Sequence, residues 1–124
     1  MSDQPPFRIG LLGHGTVGGA FHALLAERAD AIAPVTGLRP EIAGVLTRSR
    51  GDFDEILAAS DLIVELIGGI EPARDYVLRA MRAGKHVVSA NKLLLASHGE
   101  ELWEASRSLL ALTTCLPARM ARRT

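Results

Sequence analysis

Along the first hundred or so residues, apolar positions recur with two different periods, and each change of period marks a boundary between elements. Residues 8–12, RIGLL, form a short apolar run that predicts a buried strand. From Val17 the apolar positions fall at 17, 20, 21, 24 and 25, one face of a helix, which predicts a helix to about Arg28. The stretch APVTGLRP is punctuated by proline and glycine and reads as a loop; EIAGVLT, at 41–47, follows as a second strand. Asp52 and Glu55 have the spacing of a capping box, with aspartate in place of the usual serine or threonine, and predict a short helix through Ala59. LIVELI, at 62–67, is a third strand, apolar except at Glu65, as expected for a parallel strand covered on both faces. Pro72 fits a first helical position, and Ala73, Tyr76, Val77, Ala80 and Met81 give the next helix its apolar face until Gly84 ends it. HVVS, at 86–89, is a fourth strand, and Ser97 with Glu100 forms a second capping box that predicts a helix through Trp103. Strands and helices alternate throughout. That pattern predicts an α/β fold, a doubly wound parallel sheet in a single domain.

Gly13, Gly15 and Gly18 sit where the first strand hands over to the first helix. A G-x-G-x-x-G match alone is weak, because glycine is common, but this one lies in a strand–turn–helix context. In a Rossmann-type site Gly13 makes the tight turn, Gly15 lets a pyrophosphate approach the backbone, and Gly18 lets helix and strand pack closely. The phosphates then rest on N–H groups of a helix starting near Thr16, favoured by the positive end of its dipole. A turn that binds nothing is the competing reading. Sites for NAD usually end the second strand with an acid that accepts from the adenosine ribose. Here the strand ends Thr47-Arg48-Ser49-Arg50. Arg48 and Arg50 are suited to grip a 2′-phosphate, which favours NADP, although a solvated turn competes and Asp52 nearby keeps NAD open.

GKHVVSANK, residues 84–92, holds both lysines of a chain that otherwise uses arginine. Lys85 reads as a cation on the dipole of the preceding helix. Lys92 follows the carboxyl end of a strand, the edge that faces the ligand crevice in an open parallel sheet, and lysine can give up a proton where arginine cannot. It is the candidate catalytic group. Glu65, in so apolar a run, calls for a polar partner. His14 has no partner visible in the sequence and reads as a lining residue.

Composition narrows the classes. At 124 residues, 48% apolar and 23% charged, the chain is one globular domain. It has no apolar stretch long enough to span a bilayer, and MSDQPPF lacks the features of a signal peptide, so a cytoplasmic protein without a membrane partner is expected. The lone Cys115 excludes an internal disulfide, and the histidines at 14, 22, 86 and 98 lack ligand spacing, so no metal is expected. All fourteen acids lie at or before Glu104 with ten basic residues, a net charge of −4, whereas residues 105–124 carry four arginines and no acid. An acidic body without a basic stripe is a poor nucleic-acid binder. The expected division is a dinucleotide-binding domain over 1–104 and an atypical basic tail over 105–124, truncated or frameshifted.

GLLGHGTVGGAF, VELIGGIEPARDYVLRAMRAGKHVVSANK and LLLASHGEELWEA resemble the amino-terminal cofactor domain of homoserine dehydrogenase over most of residues 8–105. V-E-L-I-G-G followed by G-K-H-V-V-x-A-N-K is the specific part. The resemblance implies reversible, NAD(P)-dependent interconversion of aspartate 4-semialdehyde and homoserine, on the route to threonine, methionine and isoleucine, by a homo-oligomer acting on a small-molecule substrate. Lys92 matches the lysine of the A-N-K motif, which in that family lies in the active site and takes part in substrate binding and proton transfer. Gly13, Thr16, Val17 and Gly18 match the loop around the cofactor phosphates, and Ser89 and Asn91 match positions near the nicotinamide end. The family continues into a substrate and dimerisation domain, while ASRSLLALTTCLPARMARRT does not continue the alternating pattern. The expectation is a chain that binds cofactor without turning over homoserine. A non-catalytic dinucleotide-binding module is one alternative. Another reductase, such as an aspartate dehydrogenase, is a second, against which V-E-L-I-G-G weighs.

Overall fold

Each apolar run finds its neighbours in one sheet. The structure, a computed structural model, describes residues 5–108. Strands β1 (Pro6–Leu12), β2 (Arg39–Leu46), β3 (Leu62–Glu65) and β4 (His86–Ser89) are all parallel, in the order β2-β1-β3-β4. After β1 the chain moves to one side for β2 and to the other for β3. The winding therefore reverses beside β1, which opens a crevice at the carboxyl edge of the sheet. The register brings that edge level: Leu12 pairs with Leu46 on one side and Glu65 on the other, and Glu65 pairs with Ser89.

The helices are α1 (Thr16–Thr36), α2 (Phe53–Ala59), α3 (Ala73–Arg82) and α4 (Lys92–Ser108). Strand alternation sorts side chains onto two faces. Ile9, Leu11 and Val64 meet Phe21 and Leu25 of α1. Leu12, Ile63 and Val87 meet Phe53 and Ile56 of α2, Val77 and Met81 of α3, and Leu94 and Leu102 of α4. Full burial of each such side chain contributes about 1.5–3 kcal/mol. Across the second face Arg74 donates through Nε and Nη2 to the two oxygens of Glu101, each at 2.7 Å, and so joins α3 to α4. That hydrogen bond holds the Glu101 carboxyl below the ordinary glutamate range, against the opposing effect of its partial desolvation.

Several boundaries differ from the sequence expectation: β1 begins at Pro6 and not Arg8, β2 spans Arg39–Leu46 and not 41–47, and α4 runs past Trp103 to Ser108. The first helix runs past Arg28 to Thr36, with Pro34 inside it, and ends at Gly37 in a left-handed conformation. Pro34 lies in the last turn, where the helix is about to end, and Ala33 stays buried against the fold. Of the expected apolar face, Phe21 and Leu25 meet the sheet, whereas Val17 and Leu24 are 61% and 52% exposed. Strand β3 stops at Glu65, because the carboxylate of that residue accepts from the N–H groups of Ile67 and Gly68 and turns the chain out of the ladder. Pro72 is the cap before α3 and not its first residue. The last helix starts at Lys92, with a kink at His98, instead of starting at Ser97. Most of the expected basic tail, with Cys115, lies outside the described residues.

Helix α2 rests directly on glycine. A Cβ added at Gly10 would lie 2.5 Å from Ser60 Oγ and 2.7 Å from Ile56 Cγ2. We expect Gly10→Ala to lower stability by about 1–3 kcal/mol in urea denaturation, through overpacking between β1 and α2. Gly99→Ala, inside α4 and with its methyl in open space, is the comparison and should leave stability unchanged or raise it by up to about 1 kcal/mol.

Candidate functional site

Two groups of residues meet at the carboxyl edge of the sheet. The first is the glycine loop. Gly13 has a φ of +99°, and its N–H donates to the carbonyl of Leu46 at 2.8 Å, which pins the loop to the end of β2. A Cβ there would press on the carbonyl of Leu66, and one at Gly18 would run into the carbonyl of Gly13. Both glycines are thus required by packing within the chain. Gly15 is different. Its φ of −79° lies in the ordinary negative range, and a Cβ added to it would meet nothing within 4 Å. Among the described residues, none beyond its chain neighbours fills that space.

Helix α1 starts at Thr16 with no side-chain cap on its N-terminus and no acid in its first turn. The positive end of its dipole and its first N–H groups therefore carry no compensating side chain. Gly13, His14 and Gly15 line a cavity of about 790 Å³ together with residues 46–49, 66–69, Glu71, Pro72 and Tyr76. Of the two expected arginines, Arg48 lines this cavity and Arg50 does not. Residues 47–50 form a turn closed by the Thr47 N–H on the carbonyl of Arg50 at 2.9 Å. Asp52 is occupied as the cap of α2, its Oδ1 accepting from the N–H of Glu55 at 3.2 Å. His14 Nε2 lies 3.1 Å from His22 Nδ1, the rings meeting edge to face.

The second group is built on Glu65, whose side chain is buried at 0% exposure. Its Oε1 accepts from Ser89 Oγ at 2.6 Å; its Oε2 accepts from the N–H groups of Ile67 and Gly68 at 3.0 and 3.1 Å and from Asn91 Nδ2 at 3.4 Å. The polar partner that the sequence called for is thus a set of four donors. Asn91 is buried and engaged on both sides: Nδ2 also donates to the carbonyl of Gly69, and Oδ1 accepts from the N–H of Leu94 at 3.0 Å, capping α4. Ser89 Oγ accepts from the N–H of Asn91 at 3.1 Å. Lys92 follows as the first residue of α4, exposed. A cation at that end of a helix opposes the dipole by about 0.3–1 kcal/mol, so helix stability does not account for it.

The structure thus brings Gly13, Gly15, Thr16, Val17, Gly18 and Arg48 to the β1–β2 side of the edge, and Ser89, Asn91 and Lys92 to the β3–β4 side. Sequence reasoning missed His22, which stands eight residues from His14 and becomes its partner only through the folded turn. It also missed that Asn91 caps α4; the A-N-K stretch gave a signal in asparagine followed by an apolar run, the ordinary mark of a helix start.

The chain is similar to known proteins in sequence and in fold. The family described as homoserine dehydrogenase, NAD binding domain, matches residues 13–111. Homoserine dehydrogenase of Pseudomonas aeruginosa is 36% identical over 116 residues, covering 82% of this chain and 27% of that protein. That of Lactococcus lactis is 40% identical over 112 residues, 76% of this chain and 26% of that protein. The chain spans about a quarter of the length of these relatives. Among solved structures, a homoserine dehydrogenase from Thiobacillus denitrificans superposes with a TM-score of 0.81 at 32% identity, covering 90% of this chain and 29% of that one.

Glu65→Gln tests the second group. The amide keeps the shape but turns one acceptor into a donor, leaving buried N–H groups facing an NH2. We expect a loss of about 2–3 kcal/mol in chemical denaturation, with faster hydrogen exchange at the N–H groups of Ile67 and Gly68.

Proposed function

The chain belongs to the homoserine dehydrogenase family, and on that premise we propose that it is the cofactor-binding part of an enzyme interconverting homoserine and aspartate 4-semialdehyde. The observation that carries the proposal is the space at Gly15, which lies beside the uncapped start of α1 and is filled by no other described residue. A pyrophosphate fits there. Its charge suits the helix dipole, and its oxygens suit the N–H groups of Thr16, Val17 and Gly18. Gly13 and Gly18 keep the loop close enough to the sheet for that approach.

Arg48 reaches the same cavity and is positioned for a 2′-phosphate, with Arg50 beyond the turn as a second cation. Asp52 is engaged in capping α2, which weakens its claim on a ribose hydroxyl and favours NADP over NAD. When bound, the nicotinamide supplies the hydride chemistry. Ser89 and Asn91 stand at the nicotinamide end, held by Glu65, and Lys92 binds the substrate oxygen and exchanges a proton with it. General acid or base help from one lysine is worth about 10²–10⁴-fold, while substrate positioning supplies roughly 7–11 kcal/mol. Turnover therefore needs substrate-positioning groups in addition to those described. The proposal includes a cytoplasmic, homo-oligomeric whole protein.

Titration of NADPH and NADH tests the cofactor site. We expect NADPH to bind more tightly, Gly15→Val to abolish binding of both while circular dichroism is unchanged, and Arg48→Ala with Arg50→Ala to cost NADPH about tenfold. Equal affinity for both cofactors in the unaltered chain removes the arginines from the site.

Lys92→Ala, made in the whole protein, should lower kcat for homoserine oxidation by about 10²–10⁴-fold while NADPH affinity is retained. Undiminished turnover removes Lys92 from the chemistry.

A further inference from the structure

His14 and His22 form a side-chain pair that the cofactor reading above does not use. His14 lines the cavity from the glycine loop and His22 stands in the second turn of α1, with 3.1 Å between Nε2 and Nδ1. At that distance one ring donates and the other accepts, so the pair in its neutral form holds one N–H between two nitrogens. His14 Nδ1 has no partner among the described residues. An added proton fits there: His14 becomes a cation, keeps its Nε2–H on His22, and presents Nδ1–H as a free donor. A second added proton would set two N–H groups face to face. The pair accommodates one proton only.

We infer that the His14–His22 pair couples binding of the dinucleotide's pyrophosphate to the uptake of one proton. This rests on the cofactor reading of the glycine loop. The phosphates beside Gly15 are adjacent in the chain to His14, and a neighbouring anion favours the charged form of an imidazole. The complex then holds the extra proton better than the free protein, so affinity rises as pH falls through the histidine range. Charged groups of other elements face this region. Arg48 and Glu71 line the same cavity, and Glu65 is enclosed by its donors. On the strands beneath α1, Arg8 pairs with Asp61, Arg39 pairs with Asp30 of α1, and Glu41 is exposed; Glu27 and Arg28 lie more than a turn beyond His22 on α1. The other described histidines are elsewhere: His86 starts β4 at the opposite edge of the sheet, beside Phe7, and His98 lies at the kink of α4 near Glu101.

NAD⁺ is the probe, because its pyrophosphate stays ionised from pH 6 to 8 and it lacks a 2′-phosphate that would titrate there. Calorimetry of the unaltered chain in two buffers of different ionisation enthalpy should show net proton uptake of up to one per site, with about fivefold tighter binding at pH 6 than at pH 8. His14→Gln should remove both the uptake and the pH dependence, and His22→Phe should reduce them. Binding of NAD⁺ with no proton uptake overturns the inference and leaves the cofactor reading intact, as does uptake that persists in His14→Gln. No binding of NAD⁺ or NADP⁺ at any pH overturns both. If His14→Gln fails to fold, His22→Phe carries the comparison, and undiminished uptake there overturns the inference.

Discussion

A carboxylate taken out of water is tolerated only where donors surround it, and at Glu65 those donors come from separate segments of the chain. Two are the N–H groups that follow β3, one is the hydroxyl at the end of β4, and one is the amide of the residue that caps α4. None of these segments can shift without leaving a buried charge short of a partner, at a cost of several kcal/mol per ion. The end of β3, the end of β4 and the start of α4 are therefore fixed relative to one another by a single side chain. Lys92 is placed by this arrangement although it touches none of it in the described contacts.

The glycine loop is fixed in another way, by the absence of side chains. Gly13 and Gly18 let the backbone of β1, the loop and α1 lie against one another, and the N–H of Gly13 on Leu46 ties the loop to β2. Packing sets the first half of the edge and polar bonding the second. The two halves join through the register of β1 with β3, in which Leu12 stands beside Glu65.

Much of this was legible in the sequence because it is encoded locally. Strand β4 has the expected bounds, α2 has its Asp52 cap, and the glycines lie between a strand and a helix as their spacing requires. The misreadings share a cause: boundaries set by tertiary contacts. The end of β3 depends on where the Glu65 side chain folds back, and the start of α4 depends on Asn91 being held by Gly69 and Glu65. The proline and glycine of APVTGLRP are turn residues by type, yet Pro34 lies in the last turn of α1, where it takes one donor from the helix shortly before Gly37 ends it. His22 was unreadable as a partner, since a spacing of eight residues becomes proximity only once the loop doubles back on the helix.

The distribution of charge at the crevice edge bears on how fast a ligand arrives. The described body is rich in acids, yet Arg48, Arg50 and Lys92 all lie at the carboxyl edge of the sheet, and none is paired with a carboxylate among the described residues. The first turns of α1 and α4, which begin at this edge, lack acids as well. A polyanion approaching from solution meets unpaired cations and two uncompensated helix N-termini at this rim. Encounter is thereby steered toward the crevice, with an association rate that falls as added salt shortens the screening length to about 8–10 Å.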